Sequence, residues 1–199
     1  RPVRSSGSAT NRVGRRRRVA ADAYPTPPEL CAALVGLLPV AGGHEIARIL
    51  EPSAGRGNFV RALRDGFPSA FIEAVDPSED EGVLVGRGAN HQFIGAFESF
   101  GVPADDGVVL EPFDLICGNP PYSLAEEHVR RALGMLADGG MLAFLLRLAF
   151  LESRARLLLW REHPAEVIYV LAERPSFVHG GTDFAAYAFF VWRKTEARP

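Results

Sequence analysis

The sequence predicts an α/β fold in which one open β-sheet is flanked by helices. Short apolar runs, typical of buried strands, alternate along the chain with segments whose apolar residues recur at helical spacing. A glycine-containing turn follows the first of these strands, as it does in sheets that bind ligands at the carboxyl ends of parallel strands. At 199 residues the chain is long enough for a single domain with a substantial core.

The elements follow one another in a regular order. Seven apolar runs have the length of strands, at residues 46–50, 70–75, 92–95, 113–117, 141–146, 166–171 and 184–192. Helical spacing predicts helices at residues 29–40, 58–64, 125–136 and 151–161. Pro27 and Pro28 fit the first turn of the first helix, and Gly140 is expected to close the third.

The charge is distributed unevenly along the chain. Residues 1–20 carry seven arginines and no acidic residue, whereas acidic residues outnumber basic ones in the rest of the chain. We interpret residues 1–20 as a basic, flexible arm and residues 21–199 as one domain. Such an arm can neutralise phosphates of a nucleic acid, and it can equally be a solvated tail. A mitochondrial transit peptide fits less well, because the arm lacks an apolar face.

Several classes of protein are disfavoured by composition. No apolar run approaches the ~20 residues of a membrane span, and no signal peptide is recognisable. Cys31 and Cys117 lie in apolar surroundings and do not form a disulfide framework, which indicates a reduced, cytoplasmic compartment. His128, His163 and His179 are assigned to surfaces or loops without ligand spacing, so no metal site is expected.

The turn after the first strand has the features of a nucleoside site. Residues 51–58 read Glu-Pro-Ser-Ala-Gly-Arg-Gly-Asn, and glycines there allow a ligand to approach the backbone at the start of a helix. The spacing departs from the three-glycine dinucleotide fingerprint, so pyrophosphate binding is not favoured. Asp76 ends the second strand about twenty residues later, where a carboxylate can bind ribose hydroxyls. Each feature alone is consistent with a structural turn; together they predict nucleoside binding.

The segment after the fourth strand carries the most specific signal. It reads Asn119-Pro120-Pro121-Tyr122 and lies at the carboxyl edge of the predicted sheet. The prolines stiffen the loop, and an asparagine side-chain oxygen with a proline carbonyl offers two acceptors for the two hydrogens of an –NH2 group. The tyrosine ring supplies a flat face for a planar base or amide.

These motifs resemble those of amino-methyltransferases, especially DNA adenine-N6 enzymes. Residues 51–57 resemble motif I, residues 119–122 resemble motif IV, and Tyr24-Pro25-Thr26-Pro27-Pro28 resembles motif X. Residues 174–177, followed by Thr182-Asp183 and Tyr187, resemble the C-terminal portion of small phage-type DNA methyltransferases. The likeness extends from about residue 24 to residue 192.

The resemblance implies a Rossmann-like class I methyltransferase fold, with a seven-stranded, mostly parallel sheet and an antiparallel C-terminal strand. It implies S-adenosyl-L-methionine as cofactor, direct transfer of the methyl group to N6 of a flipped-out adenine, and no metal. The catalytic residues would be Asn119, Pro120 and Tyr122, and the base would contact Pro121, Tyr122 and Phe177. The residues expected at the cofactor are Tyr24, Thr26, Glu51, Ser53, Ala54, Gly55, Gly57, Asn58, Asp76, Phe97 and Asn119.

The chain departs from the family pattern in two ways, and several readings stay open. Ala96 stands where the family usually has an aspartate that contacts the cofactor's adenine, and Phe97 or Glu98 could compensate. No stretch is long enough for a separate target-recognition domain. DNA is the expected acceptor, in a bacterial or phage-encoded enzyme associated with the nucleoid; RNA, a protein glutamine or a noncatalytic binding role are the alternatives. The sequence does not predict the oligomeric state.

Overall fold

The computed structural model describes residues 25–40, 45–77, 83–101, 110–175 and 185–195. Its strands form one seven-stranded sheet. They are β1 (Arg48–Glu51), β2 (Phe71–Asp76), β3 (His91–Ile94), β4 (Phe113–Gly118), β5 (Leu136–Arg147), β6 (Val167–Val170) and β7 (Tyr187–Arg193). The order across the sheet is β3-β2-β1-β4-β5-β7-β6, and β7 alone runs antiparallel to its two neighbours, β5 and β6. This confirms the predicted mostly parallel sheet with an antiparallel C-terminal strand.

Helices pack on both faces of the sheet. They are α1 (Pro28–Gly36), α2 (Asn58–Gly66), α3 (Val83–Gly86), α4 (Ala125–Met135) and α5 (Leu157–Glu162), with single 3₁₀ turns at Phe97–Ser99, Tyr122–Leu124, Leu148–Leu151 and Arg154–Arg156. Successive residues of a strand point to opposite faces, so β5 serves two cores at once. Ala143 lies in the core beneath α1 and α2, and Phe144 in the core beneath α4. Among the described residues, no helix could cross a membrane.

The first helix is shorter than predicted. It ends at Gly36 rather than at residue 40, and the amide of Leu37 closes it by donating to the carbonyls of the last turn. Pro39 disfavours helical geometry in the residue before it. Its carbonyl accepts a hydrogen bond from the Arg193 guanidinium at 2.8 Å, which fastens this segment to the end of β7.

The prediction that Gly140 closes the third helix is wrong. Helix α4 ends at Met135, and β5 begins at the next residue, so Gly140 lies inside a strand. An ideal β-carbon at position 140 would lie 2.9 Å from the carbonyl oxygens of both Ala137 and Phe113. Close approach of the backbone in the sheet, and not a helix end, therefore explains this glycine.

The predicted helix at residues 151–161 is mostly wrong as well. Two 3₁₀ turns precede α5, which has six residues. The Ser153 side chain accepts from the Ala155 amide at 3.1 Å, and the Arg156 guanidinium donates to the carbonyls of Ala149, Phe150 and Glu152. These side chains therefore bind backbone amide and carbonyl groups that would have hydrogen-bonded to one another in a continuous helix.

We expect Gly140→Ala to lower the free energy of unfolding by about 1–3 kcal/mol, because the new methyl group would overpack against two carbonyl oxygens. Gly134→Ala is the matched control: it lies in α4 with no heavy atom within 4 Å of its ideal β-carbon. That change should be neutral or stabilise by up to about 1 kcal/mol. Urea titrations followed by circular dichroism measure both values; equal effects would contradict the explanation given for Gly140.

Candidate active site

A cavity of about 560 Å³ opens at the carboxyl ends of β1, β2 and β4 and beside the segment that follows β3. We call it the main cavity. The sequence-predicted site residues that line it are Thr26, Glu51, Ser53, Ala54, Gly55, Asn58, Asp76, Phe97, Asn119 and Pro121. Pro121, expected at the acceptor base, thus lies on the wall shared with the expected cofactor residues. Gly57, Pro120 and Tyr122 are not on this wall, while Tyr24 and Phe177 lie outside the described residues.

Backbone geometry explains both glycines of the turn after β1. Gly55 and Gly57 have φ angles of 50° and 74°, which side-chain-bearing residues rarely adopt. Gly57 is the N-cap residue of α2, directly before its first residue, Asn58. The Gly55 amide donates to a carboxylate oxygen of Asp76 at 2.7 Å, so the acid at the end of β2 fastens the turn and lines the main cavity.

Glu51 is a buried carboxyl group on the wall of the main cavity. Its side chain is 1% exposed, and one oxygen accepts from the Ser53 amide at 3.0 Å. A β-carbon at position 118 would clash with the same oxygen, so Gly118 makes room for the carboxyl group. Burial, with a smaller contribution from Asp76, raises the pKa of Glu51 from an ordinary 4.5 to about 8. A cation in the cavity would lower this pKa again.

Thr26 joins the N-terminal segment to the two motif loops. It is 5% exposed, and its carbonyl accepts from the Asn58 side-chain amide at 2.8 Å. Its hydroxyl accepts from Asn119 Nδ2 at 3.1 Å. Because the amide is planar, this bond fixes Oδ1 of Asn119 as the acceptor that the side chain offers elsewhere.

Tyr122 lies between Asn119 and a second cavity of about 300 Å³. Its ring centroid lies 5.5 Å from that of Tyr187, and burial raises the pKa of its phenol. The guanidinium carbon of Arg147 lies 4.9 Å from the centroid of the Tyr122 ring, a cation–π distance. Arg147 and Arg156 line the second cavity, and no acidic residue is among its described lining residues.

The prediction that His128 lies on a surface or loop is wrong. His128 is 3% exposed, lines the main cavity, and meets the ring of Phe97 edge-on at 5.0 Å. Helical spacing could have shown this, since His128 lies three residues after Ala125 and four before Ala132, both buried on the same face of α4. The described residues contain no cluster of three potential metal ligands.

Comparison with known proteins gives the context of this arrangement. No family model matches the chain. It is 31% identical over 121 residues to a tRNA1(Val) (adenine(37)-N6)-methyltransferase of Pedobacter heparinus, covering 58% of the chain and 51% of the relative. It is 31% identical over 125 residues to the type II methyltransferase M.TthHB8I of Thermus thermophilus, covering 57% of the chain and 24% of the relative. The chain thus spans about half or less of the lengths of these relatives.

Solved structures identify the fold. A Listeria monocytogenes protein, assigned as a class I S-adenosylmethionine-dependent methyltransferase, superposes with a TM-score of 0.65 at 15% identity, covering 87% of this chain and 62% of the other. The methyltransferase subunit of a type I restriction-modification system from Streptococcus thermophilus gives 0.69 at 13% identity, covering 87% and 45%. This chain has the class I methyltransferase fold. The main cavity lies where Rossmann-like sheets bind their ligands, at the carboxyl ends of the strands.

The raised pKa of Glu51 makes stability depend on pH. The unfolded chain ionises this group near 4.5 and the folded chain near 8, so between these values the unfolded state binds fewer protons. Raising the pH therefore weakens the fold, by at most about 1.4 kcal/mol per pH unit. We expect Glu51→Gln to remove this contribution. Its stability relative to the wild type, from urea titrations between about pH 5 and pH 8, should increase with pH; a constant difference would contradict the assignment.

Removing the Thr26 hydroxyl should disturb Asn119. Thr26→Val leaves a donor of the Asn119 amide without its acceptor, and we expect it to destabilise the fold by about 1–3 kcal/mol. Thr26→Ser keeps the hydroxyl and should restore most of this loss. Side-chain amide resonances of Asn119 in ¹⁵N NMR spectra provide the specific readout: they should shift in the valine variant and return towards the wild-type position in the serine variant. Unshifted resonances in Thr26→Val would disprove the bond.

Proposed function

We propose that this chain transfers a methyl group from S-adenosyl-L-methionine to the exocyclic N6 amino group of adenine in a nucleic acid, with DNA as the acceptor. The observation that carries the proposal is the position of residues 119–122. Asn119 and Pro121 line the main cavity, and Tyr122 lines the second one. A methyl donor in the first and an amine beside the second would meet at this loop.

The main cavity fits the proposed cofactor. Asp76 suits ribose hydroxyls, and the carboxyl group of Glu51 suits a cationic group such as the ammonium of a methionine moiety. Phe97 and Pro121 provide apolar walls for a purine. Nδ1 of His128 is a buried nitrogen without a hydrogen-bond partner in the described part of the chain, as expected of a site shaped for a polar ligand. The cofactor, when bound, supplies a methyl group activated on a sulfonium.

Asn119 and Pro120 would prepare the amine for the reaction. The conjugated N6 amine is a poor nucleophile, and its two hydrogens match two acceptors: Oδ1 of Asn119 and the Pro120 carbonyl. When these two oxygens accept hydrogen bonds from both N–H groups, the nitrogen is drawn towards a tetrahedral geometry and its lone pair becomes available. The nitrogen would then form its bond to the methyl carbon with that lone pair, while the carbon–sulfur bond breaks and leaves its electron pair on a neutral thioether sulfur. The methylated nitrogen would afterwards release one proton to water. Holding both reactants in line provides much of the remaining acceleration.

The second cavity favours a nucleic acid over a protein acceptor. Two arginines line it, and Arg156 is held in place by three backbone carbonyls and by the ring of Phe150 at 4.7 Å. Positive groups beside Tyr122 suit an acceptor with a phosphate backbone better than a glutamine side chain. The arginine-rich residues 1–20, which lie outside the described residues, would add sequence-independent attraction to phosphates. A base must leave the stack to reach this loop.

RNA is the second candidate acceptor. One relative is named as a tRNA adenine-N6 enzyme and another as a type II methyltransferase, so the similarity supports both. Incubation of the protein with labelled S-adenosylmethionine and matched DNA and RNA oligonucleotides separates them. Mass spectrometry of the product nucleosides should find N6-methyladenine in the DNA, whereas product in RNA alone would overturn the choice of acceptor. No labelled product in any DNA, RNA or protein substrate would overturn the reaction itself.

Replacement of Asn119 should abolish most methyl transfer. We expect Asn119→Ala to reduce single-turnover methylation by a factor of about 100 or more, because the lost acceptor matters most as the amine becomes tetrahedral. Cofactor affinity, measured by calorimetry, should change little. Tyr122→Phe, which keeps the ring and loses only the hydroxyl, is the matched comparison and should be mild. Full activity of Asn119→Ala would refute the proposed role of the loop.

A further inference from the structure

His128 is a buried polar residue of the main cavity that the proposed reaction does not use. Its imidazole is 3% exposed and lines the cavity, and the Phe97 ring meets it at an interplanar angle of 63°. Buried polar atoms are normally paired, so a buried imidazole nitrogen without a partner is a costly feature. Nδ1 of His128 is such an atom within the described residues. A ligand with a complementary donor would satisfy the imidazole.

The imidazole is uncharged at neutral pH. Burial lowers the pKa of His128 to about 4, and Arg131 acts in the same direction while Glu98 opposes it. A neutral imidazole presents one nitrogen lone pair that accepts a hydrogen bond. It therefore complements an N–H donor, and it provides no full charge to attract an anion.

The position of His128 indicates which part of the ligand it faces. Asp76 is the last residue of β2 and Pro77 follows it, while Phe97 follows β3, the next strand outwards. Asn119 follows β4, on the other side of β1. A nucleoside with its ribose at Asp76 and its reactive end at Asn119 would extend its base towards Phe97, and thus towards His128.

The residue directly before Phe97 offers no side-chain acceptor for such a donor. Ala96, on the cavity wall beside Phe97, has only a methyl group. We propose that the neutral imidazole of His128 accepts a hydrogen bond from the 6-amino group of the cofactor's adenine. This inference rests on the proposed function only in taking S-adenosylmethionine as the cofactor. It makes His128 a specificity-determining residue that separates adenine from purines without an N–H donor at position 6.

The proposal is tested by a thermodynamic cycle in which the acceptor is removed from the protein and the amino group is removed from the ligand. Calorimetry would compare S-adenosylhomocysteine with its analogue that carries hydrogen in place of the 6-amino group. The wild type should bind the amino compound about tenfold more tightly, the value of one buried hydrogen bond. His128→Phe keeps a flat ring without an acceptor and should bind both compounds equally. His128→Gln retains an acceptor and should recover part of the preference. Glu98→Gln, a change to a carboxyl group that also lines the main cavity, should keep all of it.

The outcomes separate the inference from the function on which it rests. If the wild type binds neither compound, the proposed cofactor and the role of His128 both fail. If the wild type binds both equally, or if His128→Phe keeps the wild-type preference, only the role of His128 fails. Loss of the preference in Glu98→Gln alone would transfer the contact to Glu98 and overturn the proposal. Should His128→Phe prove unfolded by circular dichroism, the wild-type preference and the His128→Gln measurement decide the question.

Discussion

The site depends on the hydrogen bonds that converge on Thr26. The carbonyl of this residue holds Asn58 at the start of α2, and its hydroxyl holds Asn119 at the end of β4. The bonded residues are 32 and 93 positions away in the chain, so no local preference could bring them together. Burial of Thr26 keeps water from competing for these bonds. Residues 25–40 are thus part of the site, although this described segment contributes no strand to the sheet.

The strand order of the sheet brings the other residues of the main cavity together. Strands β1, β2 and β4 are adjacent and parallel, so the residues that follow each of them meet at one edge. Asp76 reaches the turn after β1 because its strand pairs with β1. Residues that are distant in sequence therefore converge as a consequence of strand order, and side chains only refine their positions.

Much of this arrangement could be predicted because strands buried on both faces appear in the sequence as continuous apolar runs. The run at residues 70–75 differs from β2 by one residue at each end, and the run at residues 113–117 stops one residue before the end of β4. Motifs attached to such strands inherit their position, which is why the wall residues after β1 and β4 were found. The failures lie where a tertiary contact overrides a local signal. The sequence around Gly140 predicts a helix end, whereas the close approach of two carbonyl oxygens explains this glycine. The turns before α5 depend on hydrogen bonds from the Arg156 side chain.

Environment was harder to predict than position. Glu51 could be located by its motif, but its raised pKa arises from burial against Gly118 and from proximity to Asp76. The role of His128 follows from its place on the buried face of α4, and the spacing of potential metal ligands carries no information about that face. In both cases the chemistry of the group is set by neighbours from other strands and helices, which a single-sequence pattern does not encode.

The loop at residues 119–122 couples the two cavities, and its rigidity constrains how the acceptor can be selected. Two consecutive prolines restrict its backbone, the Leu124 amide closes the following turn on the Pro121 carbonyl at 2.9 Å, and Thr26 and Arg147 hold its two ends. A loop fixed in this way can orient a planar amine, but it cannot adapt to different acceptors. Under the proposed function, discrimination among acceptors would therefore depend on the walls of the second cavity, where the arginines lie.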